Sequence, residues 1–347
     1  MASESRIGVG AASRVAVAGA GSIGCYVGGC LALAGRNVAL LLRPALGDAI
    51  AAHGLRITDL AGNDRLVAPA RLALSSAPDA ALAPADVILV TVKSGATAEM
   101  ADVIARHARP QAVVVSLQNG VGNMDVLRAR LGATHRLVAG MVPFNVVQTH
   151  VQGRAPRFHR ATSGTIRIAA GEPGLRDLLN ATGAPVAEHR DMTGVLWGKL
   201  ILNLNNALNA LSGSPLATQI ADRRWRLVLA AQIEEALGVL KAAGIRPTRI
   251  EGVAPGMIPA ILRLPDFLFR VLARRMLAID PQARSSMWED LQRHRPTEID
   301  HFQGAILALA AKTAMSASLT QRIAQLVKQA ETEGDGSPGL QPDQITA

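Results

Sequence analysis

Aromatic side chains are scarce in this chain. They make up 3% of its 347 residues, and Tyr26 is the single tyrosine. That scarcity removes the interleaved basic and aromatic residues on which nucleic-acid bases stack. Cysteine is as sparse: Cys25 and Cys30 are the two present. Five positions apart on one predicted helix, they point in different directions and cannot readily bridge. They read as small packing residues of a reducing compartment. No Cys/His spacing resembles a zinc site, and the eight histidines fall in no ligand-like pattern. Long apolar runs are lacking too. The stretch 227–231 is short and bounded by Arg226 and Glu234, so nothing is expected to span a membrane. With no apolar core behind a basic start at the N-terminus, a cytoplasmic protein is the expectation.

What is present is alanine, leucine and positive charge. Hydrophobic residues make up 49%, enough for real cores, and the Ala/Leu bias favours helices packed on a modest sheet. Lys and Arg number 36 against 27 Asp and Glu, a formal charge of +9. Such a balance suits anionic ligands. The basic residues are scattered arginines without a dense tract, which argues against nucleic acid. The length suits two or three domains.

The most informative stretch is residues 14–24. Residues 15–18 read as a short buried strand, then come Gly19-Ala20-Gly21-Ser22-Ile23-Gly24, then a helix to about residue 34. Strand, glycine turn and helix is the order a dinucleotide site needs. Gly19 permits the tight turn, Gly21 leaves the backbone open to a pyrophosphate, and Gly24 lets the helix pack on the strand. The helix start offers N–H groups and partial positive charge. The second strand, from Asn37, ends in Arg43 and Pro44, with no acid until Asp48. NAD sites place an acid there to hold the ribose hydroxyls, whereas a guanidinium pairs with a 2′-phosphate. The expectation is therefore NADP(H). The alternative is that Arg43 is a solvated strand-end arginine.

Further apolar strands are expected around 86–93, 112–117 and 137–147, with a hairpin-like excursion at 54–72 and antiparallel additions at 157–159 and 165–168. Past residue 190 the β pattern stops. Helices are expected at 193–212, 218–243, 255–278, 283–294, 297–313 and 316–331, the third broken by Pro259 or Pro265. The domains read as a disordered N-terminus 1–12, a nucleotide domain 13–190, a helical domain 191–331 and a disordered tail 332–347.

A reductase needs a proton donor and groups that hold the carbonyl compound. Lys199, Asn203 and Asn206 stand at i, i+4 and i+7 on one expected helix. Four asparagines, 203, 205, 206 and 209, are costly to bury without partners. A polar ligand is one reason for them; amides bonding each other in a buried helix is the other. A second cluster, 285–300, holds Ser286 and Glu298, and by itself reads as ordinary capping and a solvated face. Lys93 and Asn119 end two apolar strands, where turn chemistry and cofactor binding are both open readings.

Taken together, the glycine motif, Thr91-Val-Lys93, Gln118-Asn119-Gly120-Val-Gly122, Leu196-Trp-Gly-Lys199 with Asn203, and Ser285-Ser-Met287 followed by Arg295-Pro-Thr-Glu-Ile-Asp300 resemble the ketopantoate reductase (2-dehydropantoate 2-reductase) family over about residues 14–330. The resemblance implies an α/β Rossmann-like nucleotide-binding domain followed by an all-helical C-terminal domain like that of 6-phosphogluconate dehydrogenase relatives. It implies NADPH-dependent reduction of a small 2-keto acid in pantothenate synthesis. Lys199 would be the general acid, with Glu298 beside the nicotinamide ribose. Arg43 and Lys93 would hold the 2′-phosphate end, Asn119 would bridge cofactor and substrate, and Val146 joins the cofactor contacts. Asn203, Asn206 and Ser286 would bind substrate. The family often has an asparagine eight residues after the lysine, where this chain has Ala207; a one-residue slide brings in Asn206. Rival readings are another 2-keto acid reductase on this scaffold, an opine or glycerol-phosphate dehydrogenase, or a protein that binds NADP(H) without reducing. The apolar region 255–278 reads either as core or as the face of a homodimer.

Overall fold

The computed structural model describes residues 8–249, 252–272 and 282–346. The chain forms two compact units, Met1–Asn119 with Asn123–Met192, and Gly120–Gly122 with Thr193–Ala347.

The first unit opens with β1 (Arg14–Ala18), α1 (Ser22–Leu33), β2 (Asn37–Leu41), α2 (Pro44–His53), β3 (Leu55–Asp59) and β4 (Asp64–Val67). It continues through β5 (Leu72–Ser75), α3 (Pro78–Leu82), β6 (Val87–Val90), α4 (Thr97–His107), β7 (Val113–Ser116) and α5 (Asn123–Leu131). It closes with β8 (Arg136–Met141), β9 (Val146–Thr149), β10 (Arg157–Arg160), β11 (Ile166–Ala169), α6 (Leu175–Leu179) and β12 (Val186–His189). The large sheet has the order β12-β11-β8-β7-β6-β1-β2-β5. Its strands from β8 to β5 are parallel, while β11 runs antiparallel to β8. β6 and β7 are buried along their whole length, as expected for parallel strands covered on both faces. Alternation splits β1 between two cores: Val15 and Val17 join one, Ala16 and Ala18 the other.

A second sheet, β4-β3-β10-β9, lies on the far side of α1. This explains why α1 is apolar all round, with residues 24–32 buried. The glycine pair on α1 faces both ways. A Cβ on Gly28 would sit 2.7 Å from Leu40, and one on Gly29 would sit 2.7 Å from Leu55. Two strand expectations need correction. The single strand expected over 137–147 is two strands in different sheets, divided around Pro143, which has no N–H to give a ladder. β10 and β11 are likewise in different sheets. Of the terminus expected to be disordered, residues 1–7 lie outside the described residues, and Val9 is buried in the first core against residues 173–174.

The second unit contains α7 (Met192–Asn203), α8 (Asn205–Ser212), α9 (Leu216–Ala221), α10 (Arg223–Ala242), α11 (Ile258–Arg263), α12 (Asp266–Leu272), α13 (Ser286–Gln292), α14 (Ile299–Thr313), α15 (Ser318–Glu333) and α16 (Pro342–Thr346). They enclose one core, in which Leu200, Leu204, Leu208, Ile233, Phe302 and Ile323 are wholly or almost wholly buried. Several long helices expected from the pattern are broken. The 193–212 stretch divides at Leu204, where the Gln303 side chain donates to the Leu204 carbonyl at 3.1 Å and competes with the helix ladder. The 218–243 stretch divides at Asp222, whose carboxylate caps α10. Pro265 separates α11 from α12, and the expected continuation over 273–278 lies outside the described residues.

The tail is a further correction. Residues 334–346 are ordered rather than disordered: Ile345 of α16 is 1% exposed, and Ser337 and Leu340 bond to α8. Its polar composition hid two apolar anchors, Ile345 in the second core and Leu340 packed against it.

Candidate functional site

In the first unit the parallel register of β1, β2, β6 and β7 brings four strand ends to one edge. Ala18 pairs with Leu41 and with Val90, and Val90 pairs with Ser116. The chain therefore leaves the sheet side by side at Gly19, Arg43, Lys93 and Asn119. Strand order reverses at β1, since β2 lies on one side and β6 on the other; ligands favour the carboxyl edge at such a point.

The three motif glycines have different jobs. Gly19 has φ +77°, and a Cβ there would lie 2.1 Å from Val92 Cγ1. A Cβ on Gly24 would lie 2.5 Å from Thr91 Oγ1 and 2.8 Å from Val17. A Cβ on Gly21 would meet nothing within 4 Å. So Gly19 and Gly24 are required by the protein itself, whereas the space over Gly21 is open. The turn is held by Ala20 N–H donating to Leu41 O at 2.8 Å and by Thr91 Oγ1 donating to Gly19 O at 2.9 Å. The first intrahelical bond of α1 runs from Cys25 N–H to Gly21 O. The N–H groups of Ser22, Ile23 and Gly24 precede it, and no acidic residue occupies the first turn. This is an anion cradle in which a dinucleotide pyrophosphate fits.

Arg43 is exposed at the start of α2, and no ion pair holds its guanidinium among the described residues. Lys93 is exposed in the turn that follows β6. The Asn119 carbonyl accepts from Ser94 Oγ at 2.8 Å and from Asn123 Nδ2 at 2.7 Å. Beneath it Gln118 Nε2 donates to Val92 O and Thr97 Oγ1, and Thr97 donates to Asn123 Oδ1. Ser94, Thr97, Gln118 and Asn123 are all buried. Their network pins the Asn119 backbone at the edge. None of these supports except Gln118 stood out in the sequence. Val146 starts β9 in the smaller sheet, half-buried against the first core, and is not on the four-strand edge.

In the second unit Lys199 is on α7 and only 8% exposed. Asn203 follows one turn later and is half-buried; Asn206 lies beyond the Leu204 break on α8, also half-buried. The asparagine run divides in two. Asn209 Nδ2 donates to Gln219 Oε1 at 3.0 Å, and Gln219 Nε2 donates to Asn205 Oδ1 at 3.1 Å. Asn205 and Asn209 are thus satisfied within the protein, through Gln219 on α9 and not by bonding each other. The Asn203 and Asn206 side chains have no hydrogen-bond partner among the described residues.

The two serines divide similarly. Ser285 is buried, caps α13 by accepting from Trp288 N–H at 3.1 Å, and donates to Asn206 O at 3.0 Å. Its own N–H donates to Asn209 Oδ1 at 2.8 Å. Ser286 is the first residue of α13 and is exposed. Ser286 follows directly in the chain on Ser285, which is fastened to the Asn206 carbonyl of α8. Glu298 is 8% exposed at the start of α14, and Gln303 on that same helix reaches the Leu204 carbonyl. The bland reading of 285–300 holds for Thr297, which bonds Ile299 N–H, and for exposed Asp300, which pairs with Lys328.

The sequence model of the family described as Ketopantoate reductase PanE/ApbA matches residues 15–173, and that of its C-terminal part matches residues 191–331. The chain belongs to the ketopantoate reductase family. The 2-dehydropantoate 2-reductase of Mesorhizobium japonicum is 28% identical over 322 residues, covering 85% of this chain and 91% of its own. That of Halobacterium salinarum is 28% identical over 339 residues, covering 92% of this chain and all of its own. A crystal structure of a PanE/ApbA family ketopantoate reductase from Ralstonia eutropha JMP134 superposes with a TM-score of 0.76 at 31% identity, covering 92% of this chain and 99% of that one. Ketopantoate reductases are oxidoreductases, and the two parts of the family model fall on the α/β sheet part and the helical part of this chain. Among the described residues no helix is long and apolar enough to cross a membrane.

Proposed function

We propose that the protein reduces 2-dehydropantoate to pantoate with NADPH, in the cytoplasm and as a step of pantothenate synthesis. The observation that carries this reading is a buried lysine, Lys199, on a helix whose neighbouring amides Asn203 and Asn206 have no partner among the described residues. Unpartnered, half-buried amides next to a desolvated ammonium await a polar ligand. A small 2-keto acid, with a carboxylate and a carbonyl, matches that donor set.

The α1 N–H groups and the open approach at Gly21 would hold the cofactor's pyrophosphate. Arg43 and Lys93 would take the 2′-phosphate, and an acid that would repel it is absent from the β2 end. Asn119 and Glu298 would order the nicotinamide ribose. When bound, the reduced nicotinamide supplies a hydride for the C2 ketone. Lys199 Nζ holds the proton that goes to the carbonyl oxygen as it gains negative charge. Asn203, Asn206 and Ser286 orient the carboxylate and hydroxyl end. The +9 charge favours approach of both anions. A homodimer completes the proposal: Phe267 and Val271 of α12 are 69% and 74% exposed, an apolar face that water does not favour.

The test follows the loss of NADPH absorbance with ketopantoate, pyruvate, 2-ketoisovalerate and oxaloacetate, repeated with NADH. The reading expects ketopantoate and NADPH to give the highest kcat/KM. Preference for another acid moves the substrate and keeps the chemistry. NADPH binding with no oxidation across the panel defeats the catalytic reading.

A further inference from the structure

The family match ends at residue 331, yet residues 334–346 are built into the helical unit. They meet the two short helices that carry Asn206 and Ser286. α8 has eight residues, and its last carbonyls need partners from outside the helix. Gly213 N–H takes the Asn209 carbonyl. The next two are taken by the tail: Ser337 Oγ donates to Ala210 O at 2.6 Å, and Leu340 N–H donates to Leu211 O at 2.8 Å. Ala210 stands one turn after Asn206 on the same helix face.

The same segment also touches α13. Gly336 lies so close to Gln292, the last residue of α13, that a Cβ would fall 2.7 Å from its Nε2. Ile345 in the core and Leu340 packed against it then anchor the segment. At the other end of α13, Ser285 is bonded to Asn206 O and Asn209 Oδ1. Two helices too short to be stable alone are thus fixed to each other at one end by Ser285 and at the other by the tail.

We propose that residues 334–346 are a positioning segment for the 2-keto acid: by capping α8 and abutting α13 they set the spacing of the Asn206 amide and the Ser286 hydroxyl. This rests on the reading of those two residues as substrate contacts. The segment makes no contact with substrate itself. It acts through α8 and α13, so its loss should appear in substrate affinity and discrimination, and leave NADPH binding, whose proposed phosphate contacts lie on the first unit, unaffected.

The experiment compares the full chain with a chain ending at Glu333, with Ser337→Ala and with Ser337→Thr, in KM for the preferred keto acid, kcat and NADPH Kd. Backbone hydrogen exchange over residues 205–212 is read alongside. Truncation is expected to raise KM roughly tenfold and to speed exchange in α8, with NADPH Kd unchanged. Ser337→Ala is expected to raise KM about threefold, and Ser337→Thr, which keeps the hydroxyl, to restore it. Unchanged KM in a folded truncated chain overturns the proposal. So does a parallel loss of KM, kcat and NADPH Kd, which would mark general destabilisation. If truncation unfolds the chain, the Ser337 pair decides, by the same KM criterion. Failure of the full chain to turn over any 2-keto acid defeats the functional reading as well; turnover with KM indifferent to the tail defeats this proposal alone.

Discussion

In the proposed reading the first unit would meet the cofactor's pyrophosphate with backbone, and the second would meet the substrate with side chains. At the edge of the large sheet the groups on offer are the N–H groups of Ser22, Ile23 and Gly24 and the open space at Gly21. In the helical unit they are Lys199, Asn203, Asn206, Ser286 and Glu298, on helices joined by Ser285, Asn209 and Gln303. A backbone site depends on local geometry, so it forms whenever the turn forms. A side-chain site depends on bonds between residues 76 to 99 positions apart, so it exists only once the helices have packed. The first suits a ligand shared by many enzymes, the second a substrate particular to one.

This contrast breaks most severely at Gly19. With φ +77° and Val92 Cγ1 2.1 Å from any Cβ, Gly19→Ala should cost about 2–4 kcal/mol. Urea unfolding reads this directly, and an unchanged midpoint would refute the strained turn. In the helical unit Asn209→Ala removes bonds to Ser214, Gln219 and Ser285 at once. It should cost about 1–3 kcal/mol. Asn203→Ala should leave stability within about 0.5 kcal/mol and raise KM instead. Similar stability losses in both variants would erase the division of the asparagine run.

A smaller effect is expected at Arg43. Arg43→Ala should weaken NADPH binding about tenfold and leave NADH unaffected; equal loss of both would return Arg43 to a solvated strand end. The smallest effect concerns the cysteines. Burial pushes both thiols up to about 12, so at pH 8 roughly one in ten thousand is thiolate. Neither should react with a thiol reagent until the protein is unfolded, and prompt labelling of the native protein would show that α1 opens.

The same contrast explains what could be read from the chain. Gly19, Gly21 and Gly24 were legible because each role follows from neighbours within the motif or from φ. The parallel strands were legible as apolar runs, and the helix that carries Lys199 and Asn203 was legible from its pattern. The smaller sheet was not, because its pairings join β3 to β10 across about a hundred residues and its strands are short. Nor was the Leu204 break, which depends on Gln303, a residue with no local sign of its partner. Asn205 and Asn206 are adjacent and chemically identical, and only Gln219 separates their roles. The tail misled because its composition is polar, while two residues, Leu340 and Ile345, decide its packing.

The most direct measurement pairs NADPH Kd with kcat in two variants, Gly21→Ala and Lys199→Ala. A Cβ on Gly21 meets nothing within 4 Å among the described residues, so Gly21→Ala should fold normally and weaken NADPH binding roughly tenfold or more by filling the space needed for the pyrophosphate. Lys199→Ala should bind NADPH as the unaltered protein does and lose about a hundredfold to ten-thousandfold in kcat. That crossed pattern is what the account predicts. A Lys199→Ala protein with near-normal kcat, or a Gly21→Ala protein that binds NADPH unchanged, would contradict it.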